Sequence, residues 1–293
     1  TFSNLDPESI STASDAETLL NGVYLFGPSH IGNILRDQLT FNEMTTDIMI
    51  EREGGINTNT MPIEDFEWAS NHPWLEDWWN HYYRIINRAN VVIERVPDIQ
   101  MDEERKEQIL AEARFLRAYN YMWLYELFGP TPLILESQVP PTDRPSRASD
   151  AEMVDFIESE FIAVSEILPP TQEEYGRATS GAALGFLAKF YLKNKKWDLA
   201  AETAQQVMES GLYEIFTDGP RTDLFALENE GNNEMIFVVG AADPPTGPDN
   251  NYLSHATPPG YQFKFPPKLN FAAQIKIRSD YLTLFEPEDE RLG

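Results

Sequence analysis

The sequence predicts a mainly α-helical protein, a tetratricopeptide-like helical repeat scaffold with an irregular, loop-rich lobe. Two observations predict this class. Apolar residues recur at three- and four-residue steps, bounded by helix caps and prolines, through the first three-quarters of the chain. After about residue 215 this periodicity is lost, and residues 243–267 hold seven prolines. We therefore expect a helical domain over residues 1–225 and the start of an irregular C-terminal lobe, itself expected to be truncated, over residues 226–293.

The first helix is predicted from a capping box, Ser-Asp-Ala-Glu at residues 14–17, and Pro28 stops it. Residues 29–67 have mixed patterning, and the polar run Asn-Thr-Asn-Thr at residues 57–60 predicts a loop. The region from Pro28 to the next helix is therefore expected to be irregular.

Two long helices are predicted next. Pro73 suits the first position of a helix whose Trp, Tyr, Ile, Ala and Val residues share one face and which ends at Pro97. The aromatic residues on this face are expected to be mainly core. Asp102 is placed to cap the following helix, which is predicted to end at Phe128 before a Gly-Pro pair.

Three further helices are predicted after a proline-rich connector. A capping box at Ser149 opens a helix that runs to Leu168, before two prolines. Helices at residues 180–193 and 196–210 have the small-residue spacing of a tetratricopeptide unit. One such unit cannot bury its own apolar face, so the other helices must stack on it. The apolar run at residues 235–239 predicts a short β-strand.

Composition narrows the function classes. The 293-residue chain has 22 Lys and Arg against 48 Asp and Glu, a formal charge of −26. Such a charge repels phosphate backbones, so we expect no nucleic-acid partner. The chain has no cysteine, which removes disulfides, thiolate metal sites and thiol nucleophiles. Since no phosphate-binding glycine loop or nucleophile-elbow motif is present either, we predict no catalytic residue, cofactor or metal site.

Charged residues have two competing interpretations. Arg114 and Arg117 predict structural ion pairs with Glu112 or with a neighbouring helix, and an anion clamp is the alternative. Paired carboxylates could hydrolyse a glycosidic bond. With 48 acidic residues such pairs arise by chance, so a glycoside hydrolase is a minor alternative.

The irregular region holds the candidate binding residues. Saccharides are bound by aromatic rings that stack on C–H faces and by planar polar groups that hydrogen-bond to hydroxyls. Ordinary loop or core residues are the alternative for each position. The candidates in and beside this region are Arg36, Asp47, Arg52, Glu53, Asn57, Asn59, Trp68 and Trp74.

Several short motifs occur in a fixed order along the chain. The strongest is Ala-Glu-Ala-Arg-Phe-Leu-Arg-Ala-Tyr-Asn-Tyr at residues 111–121, followed by Leu-Phe-Gly-Pro-Thr-Pro-Leu at residues 127–133. The others include Leu5-Asp6-Pro7, Asn21-Gly22-Val23-Tyr24, Asn42-Glu43 with Thr46-Asp47, Ala89-Asn90, the tetratricopeptide unit from Ser180 to Tyr213, Asn233-Glu234-Met235-Ile236-Phe237 and Asp289-Glu290-Arg291. Together these motifs resemble the SusD/RagB-like outer-membrane lipoproteins of Bacteroidetes.

The resemblance implies a non-enzymatic protein at the cell surface. Such a protein would capture an oligosaccharide and deliver it to a SusC-like TonB-dependent transporter in the outer membrane. Membrane contact would come only through an N-terminal lipid anchor, expected just upstream of Thr1 and absent from this sequence. Peptide is the alternative ligand in the same role, and a tetratricopeptide scaffold that binds a protein tail is an interaction-class alternative.

The resemblance also points to site residues. By position it implies Arg36, residues 51–59 and three aromatic residues of the C-terminal lobe, Tyr252, Tyr261 and Phe263. Residues 51–53 are Glu-Arg-Glu where the best-known starch binder of the family would have tryptophans. This departure puts starch in doubt and suits a charged, different or peptidic ligand.

Overall fold

A computed structural model of the chain describes residues 10–26, 32–50, 57–140, 142–239 and 275–289; for residues 32–36, 57 and 221 it describes the backbone alone. These parts are mainly α-helical, as predicted. The elements in chain order are α1 (Ala13–Phe26), α2 (Gly32–Met44), β1 (Met49–Ile50), α3 (Asn57–Glu64), α4 (Pro73–Arg95), α5 (Glu103–Phe128), α6 (Asp150–Ser165), α7 (Ser180–Lys193), α8 (Trp197–Glu209), β2 (Lys276–Ile277) and α9 (Ser279–Leu282).

The chain forms two compact units. The first unit comprises residues 1–27 and 81–240, and the second comprises residues 28–80 and 241–293. The predicted domain boundary at residue 225 stays a prediction, because most residues after it lie outside the described ranges.

The first unit is a stack of helices. Helix α5 packs against α1 and α6, α6 packs against α7, and α7 packs against α8. Its core is aromatic: the Phe115 ring lies 5.9 Å from the rings of Phe161 and Phe186 and 5.3 Å from that of Phe237. The strand predicted at residues 235–239 is therefore wrong, because Phe237 packs into this helical core and the run forms no ladder.

Most predicted caps are confirmed. The Asp102 carboxylate accepts from the Arg105 N–H, and Ser149 and Glu152 form a reciprocal capping box. Helix α6 ends at Ser165, three residues before the predicted Leu168.

The cap predicted for α1 is wrong. Thr12 Oγ1 accepts from the Asp15 N–H at 3.2 Å, and the Asp15 carboxylate accepts from the Thr12 N–H at 2.8 Å. This box begins two residues before the predicted Ser14, and Glu17 is then free to bind Arg105 of α5 instead.

Buried charges connect the helices of the first unit. Arg117 and Arg114 both donate to Glu160 of α6, at 3.0 and 2.7 Å, so the predicted structural ion pairs are confirmed. Glu112, fully buried, accepts from Tyr24 Oη at 2.7 Å and from Arg105 and Arg177. Burial and the Glu112 charge raise the pKa of the Tyr24 phenol well above its usual range.

The second unit contains α2, α3 and an antiparallel pair of strands. Met49 pairs with Ile277, and Ile50 pairs with Lys276. Arg278 then donates to the buried Glu64 at the end of α3. The loop predicted at residues 57–60 is wrong, because these residues begin α3. Burial outweighs weak helix propensity here: Thr60 and Ile63 are both fully buried. Among the described residues, no helix combines the length and apolar character needed to cross a membrane.

Candidate functional site

A partly exposed aromatic cluster lies at the end of α3 in the second unit. It consists of the exposed Phe66 and the half-buried Phe41 and Trp68, and we call it the aromatic surface. The Trp68 ring lies 5.4 Å from Phe41 in an edge-to-face arrangement and 5.8 Å from Phe66. Phe66 is 64% exposed, and Trp68 is half-buried. Contiguous apolar side chains that reach the solvent are typical of binding surfaces.

The end of α3 explains the position of Phe66. The Phe66 N–H donates to the Ile63 carbonyl at 3.1 Å, and the Glu67 N–H donates to the Pro62 carbonyl at 2.7 Å. These two bonds form a Schellman motif, in which the residue at the Phe66 position is left-handed and is usually glycine. Phe66 has φ of +57°. A left-handed conformation costs an L-residue about 1–2 kcal/mol, and such strain concentrates at functional sites.

The aromatic surface packs on the buried Trp78, and His72 links the neighbouring chain segments. The Phe41 ring lies 5.4 Å from the ring of Trp78, which is fully buried in the first turns of α4. His72 Nε2 donates to the Asn59 carbonyl at 2.9 Å, while His72 Nδ1 accepts from the Trp74 N–H at 3.3 Å. Only the neutral imidazole makes both bonds, and it ties the segment after Trp68 to α3. The aromatic surface is therefore anchored by the Phe41–Trp78 contact and by the His72 hydrogen bonds.

The described candidates occupy different environments. Trp68 belongs to the aromatic surface, and Asp47 is exposed after α2. Asn59 is half-buried in α3, where its carbonyl accepts from His72. Trp74 is only 4% exposed and its ring lies 6.3 Å from that of Trp78, which favours the core role over a ligand contact.

The remaining candidates stay predictions. Arg52, Glu53, Tyr252, Tyr261 and Phe263 lie outside the described residues. Arg36 lies in α2 and Asn57 begins α3, but their side chains are likewise outside the described part of the chain.

Sequence reasoning missed Phe66 and Phe41. The signal for Phe66 was present: it stands between Asp65 and Glu67, outside any helical repeat. An aromatic residue flanked by exposed carboxylates is placed to offer a ring face together with hydrogen-bond acceptors. Chemically, the surface can stack on an apolar face and accept hydrogen bonds from hydroxyl groups. Within the described residues, no group of three or more His, Asp and Glu side chains is arranged to hold a metal ion.

Comparison with known proteins decides the family. A family profile described as SusD-like, starch-binding and associating with the outer membrane matches residues 4–192, more than half of the chain. The chain belongs to the SusD-like family. The resemblance drawn from the ordered motifs is thereby confirmed.

Other SusD-like proteins resemble it along most of its length. SusD-like protein P2 of Formosa agariphila is 27% identical over 242 residues, which are 80% of this chain and 47% of that relative. A solved laminarin-binding SusD-like protein matches 94% of this chain and 64% of its own, with a TM-score of 0.79 at 21% identity. A surface glycan-binding protein A from Bacteroides fluxus covers 94% of this chain and 62% of its own, with a TM-score of 0.77 at 20% identity. These structures show the helical SusD-like fold.

The curated SusD-like relatives are much longer than the match. The chain spans 32% of the SusD-like protein of Bacteroides ovatus and 47% of protein P2. The match therefore establishes the family and the fold of this chain, but not the ligands of the full-length relatives.

Proposed function

We propose that this protein is a non-catalytic glycan-binding protein and that it holds an oligosaccharide against the aromatic surface. The observation that carries the proposal is Phe66, an exposed aromatic residue kept in a strained helix end beside Trp68. Stacking of sugar C–H faces on such rings, with Asp65 and Glu67 as acceptors for hydroxyl groups, is the chemistry that this arrangement suits. The family description, starch-binding, supports the same class of ligand.

We propose a wider role that the family description supports. The protein would sit at the cell surface on the outer membrane, held by an N-terminal lipid anchor, and would deliver its ligand to a SusC-like TonB-dependent transporter. The support is the family description, which associates SusD-like proteins with the outer membrane. Co-purification of the protein with a TonB-dependent barrel tests this part separately from ligand binding.

Binding calorimetry tests the ligand class. Maltooligosaccharides, laminarin oligosaccharides and oligopeptides are titrated into the wild type and into the double variant Phe66→Ala/Trp68→Ala. We expect heat from one oligosaccharide class and at least about a tenfold loss of affinity in the double variant, since stacking on two rings is lost.

The matched control is Phe225→Ala in the first unit, because Phe225 is also an exposed aromatic residue, at 72%. An equal loss of affinity in this control would contradict the site. Heat from peptides alone would replace the glycan by a peptide ligand. Release of reducing ends over time would show a hydrolase and contradict the non-catalytic role.

A further inference from the structure

We propose that the first unit carries a second saccharide site, which takes a neutral mono- or disaccharide and is separate from the aromatic surface. The site is a cleft of about 440 Å³ between the α6–α7 connection, residues 170–179, and the chain after α8, residues 211–213 and 231–238. This volume lies within the range of small-molecule sites, about 300–1,000 Å³. The inference rests on the proposed glycan-binding function and adds a second place where it occurs.

A tyrosine ring lies on the wall of the cleft. Tyr175 is 58% exposed although its ring lies against the backbone of Gly231. A Cβ added at Gly231 would meet Tyr175 Cε2 at 3.2 Å, and φ of +77° at Gly231 excludes most side chains. One edge of the ring therefore packs against the Gly231 backbone while much of the ring stays open to solvent. A positioned, exposed ring is what stacking on a sugar requires.

Thr179 and Tyr213, which both line the cleft, have a hydroxyl hydrogen to offer a ligand. Thr179 Oγ1 and Tyr213 Oη are 3.2 Å apart, and Thr179 Oγ1 also accepts from the Ala182 N–H at 3.1 Å. Whichever hydroxyl donates to the other, the hydrogen of the second hydroxyl remains for another acceptor. A Cβ at Gly181 would clash with Tyr213 Oη, so this glycine lets the phenol come close to α7.

The charges of the cleft favour a neutral ligand. Arg177 Nη2 lies 2.7 Å from Glu174, and Arg177 Nη1 donates to the buried Glu112 at 3.2 Å. The guanidinium is thus compensated by two carboxylates and offers no excess positive charge to a phosphate or a sulfated sugar. The exposed Asn233 adds a planar amide to the same wall. Rings, hydroxyls and amides without net positive charge fit an uncharged saccharide.

The test uses a variant that lacks two rings of the aromatic surface, so that any remaining binding reports on the cleft. The double variant Phe66→Ala/Trp68→Ala is titrated with maltose, cellobiose and laminaribiose, and binding is followed by saturation-transfer NMR. We expect residual binding of one disaccharide at millimolar concentrations. Adding Tyr175→Ala to this variant is expected to weaken the residual binding by about five- to tenfold, because the stacking ring is lost. Adding Tyr175→Phe keeps the ring and is expected to preserve the binding.

The outcomes separate the two proposals. Phe225→Ala, added to the same double variant, is the control for removal of an exposed aromatic residue of the first unit, and it is expected to leave the residual binding unchanged. If the wild type binds and the double variant shows no residual binding, or if that binding survives Tyr175→Ala, the second site is overturned and the proposed function stands. If the wild type binds no saccharide, both proposals fail.

Discussion

Phe66 has a backbone conformation in which glycine is the more stable residue. Replacing it by glycine removes both the strain and the ring, whereas replacing it by alanine removes the ring alone. We predict that Phe66→Gly is more stable than Phe66→Ala by about 1 kcal/mol, since only alanine retains the left-handed cost. Urea denaturation measures this difference. Both variants are expected to bind oligosaccharide more weakly than the wild type, and equal stability would remove the argument that Phe66 is strained.

The buried pair between Arg117 and Glu160 gives a second prediction at the residue scale. Both side chains are buried, and Arg117 also donates to Asn90. Glu160→Gln keeps the shape but leaves the arginine charge uncompensated. We predict a loss of about 3 kcal/mol in the free energy of unfolding. The control is Glu166→Gln at the exposed end of α6, expected to change stability little; similar losses in the two variants would contradict the prediction.

Acid sensitivity at the residue scale follows from Glu17. The hydrogen bond from Arg105 lowers the pKa of the Glu17 carboxyl below its ordinary value. A lowered folded-state pKa gives stability that is present above the unfolded value and is lost as the pH falls through the folded value. We predict that Glu17→Gln has a shallower fall in melting temperature than the wild type between about pH 5 and pH 3. Melting temperatures of the wild type and the variant, measured across this pH range, check the prediction, and parallel curves would contradict it.

At the scale of elements, the capping box of α6 can be tested alone. Ser149 Oγ accepts from the Glu152 N–H, and the Glu152 carboxylate accepts from the Ser149 N–H at 2.7 Å. We predict that Ser149→Ala lowers the free energy of unfolding by about 1 kcal/mol. Ser159→Ala on the same helix is the control, because Ser159 donates only to the carbonyl of Phe156. An effect of the same size in the control would show that the cap is not the cause.

The elements that could be predicted from sequence are those with a local start or stop signal. Pro73, Asp102 and Ser149 each mark a helix start that the structure confirms. Helix α3 has no such signal, because its first residues favour turns and only its burial in the second unit makes it helical. Strands β1 and β2 have two residues each, too few for any alternating pattern.

The residues of the candidate site also differ in how far they could be predicted from the sequence. Trp68 could be found from residue type and position in an irregular region. Phe66 could not be predicted as a site residue in the same way, because its exposure and left-handed backbone depend on how α3 ends. Trp74 shows the opposite problem, since it has the chemistry of a sugar contact but lies on the buried face of α4. Residue type thus indicated the chemistry, and helix ends determined which rings are exposed.

At the scale of the whole molecule, the charge of −26 affects stability. Self-repulsion of a strongly charged chain destabilises the compact state, and salt screens it. We predict that the melting temperature rises as NaCl is increased from about 0.05 M to 0.5 M. Chloride is chosen because sulfate would stabilise the protein by exclusion from its surface. An unchanged melting temperature would show that self-repulsion contributes little.

The pairing of β1 with β2 has a consequence for biosynthesis. Arg278 donates to Glu64 across 214 positions of the chain, whereas α6, α7 and α8 of the first unit each contact the helix that precedes them in sequence. A ribosome adds about 5–20 residues per second, so Arg278 is synthesised roughly 10–40 s after Glu64. We expect the nascent chain to complete its helical stack first and to close the second unit last. Translation that stops before Lys276 would therefore release a chain with an ordered helical stack that lacks both β2 and Arg278.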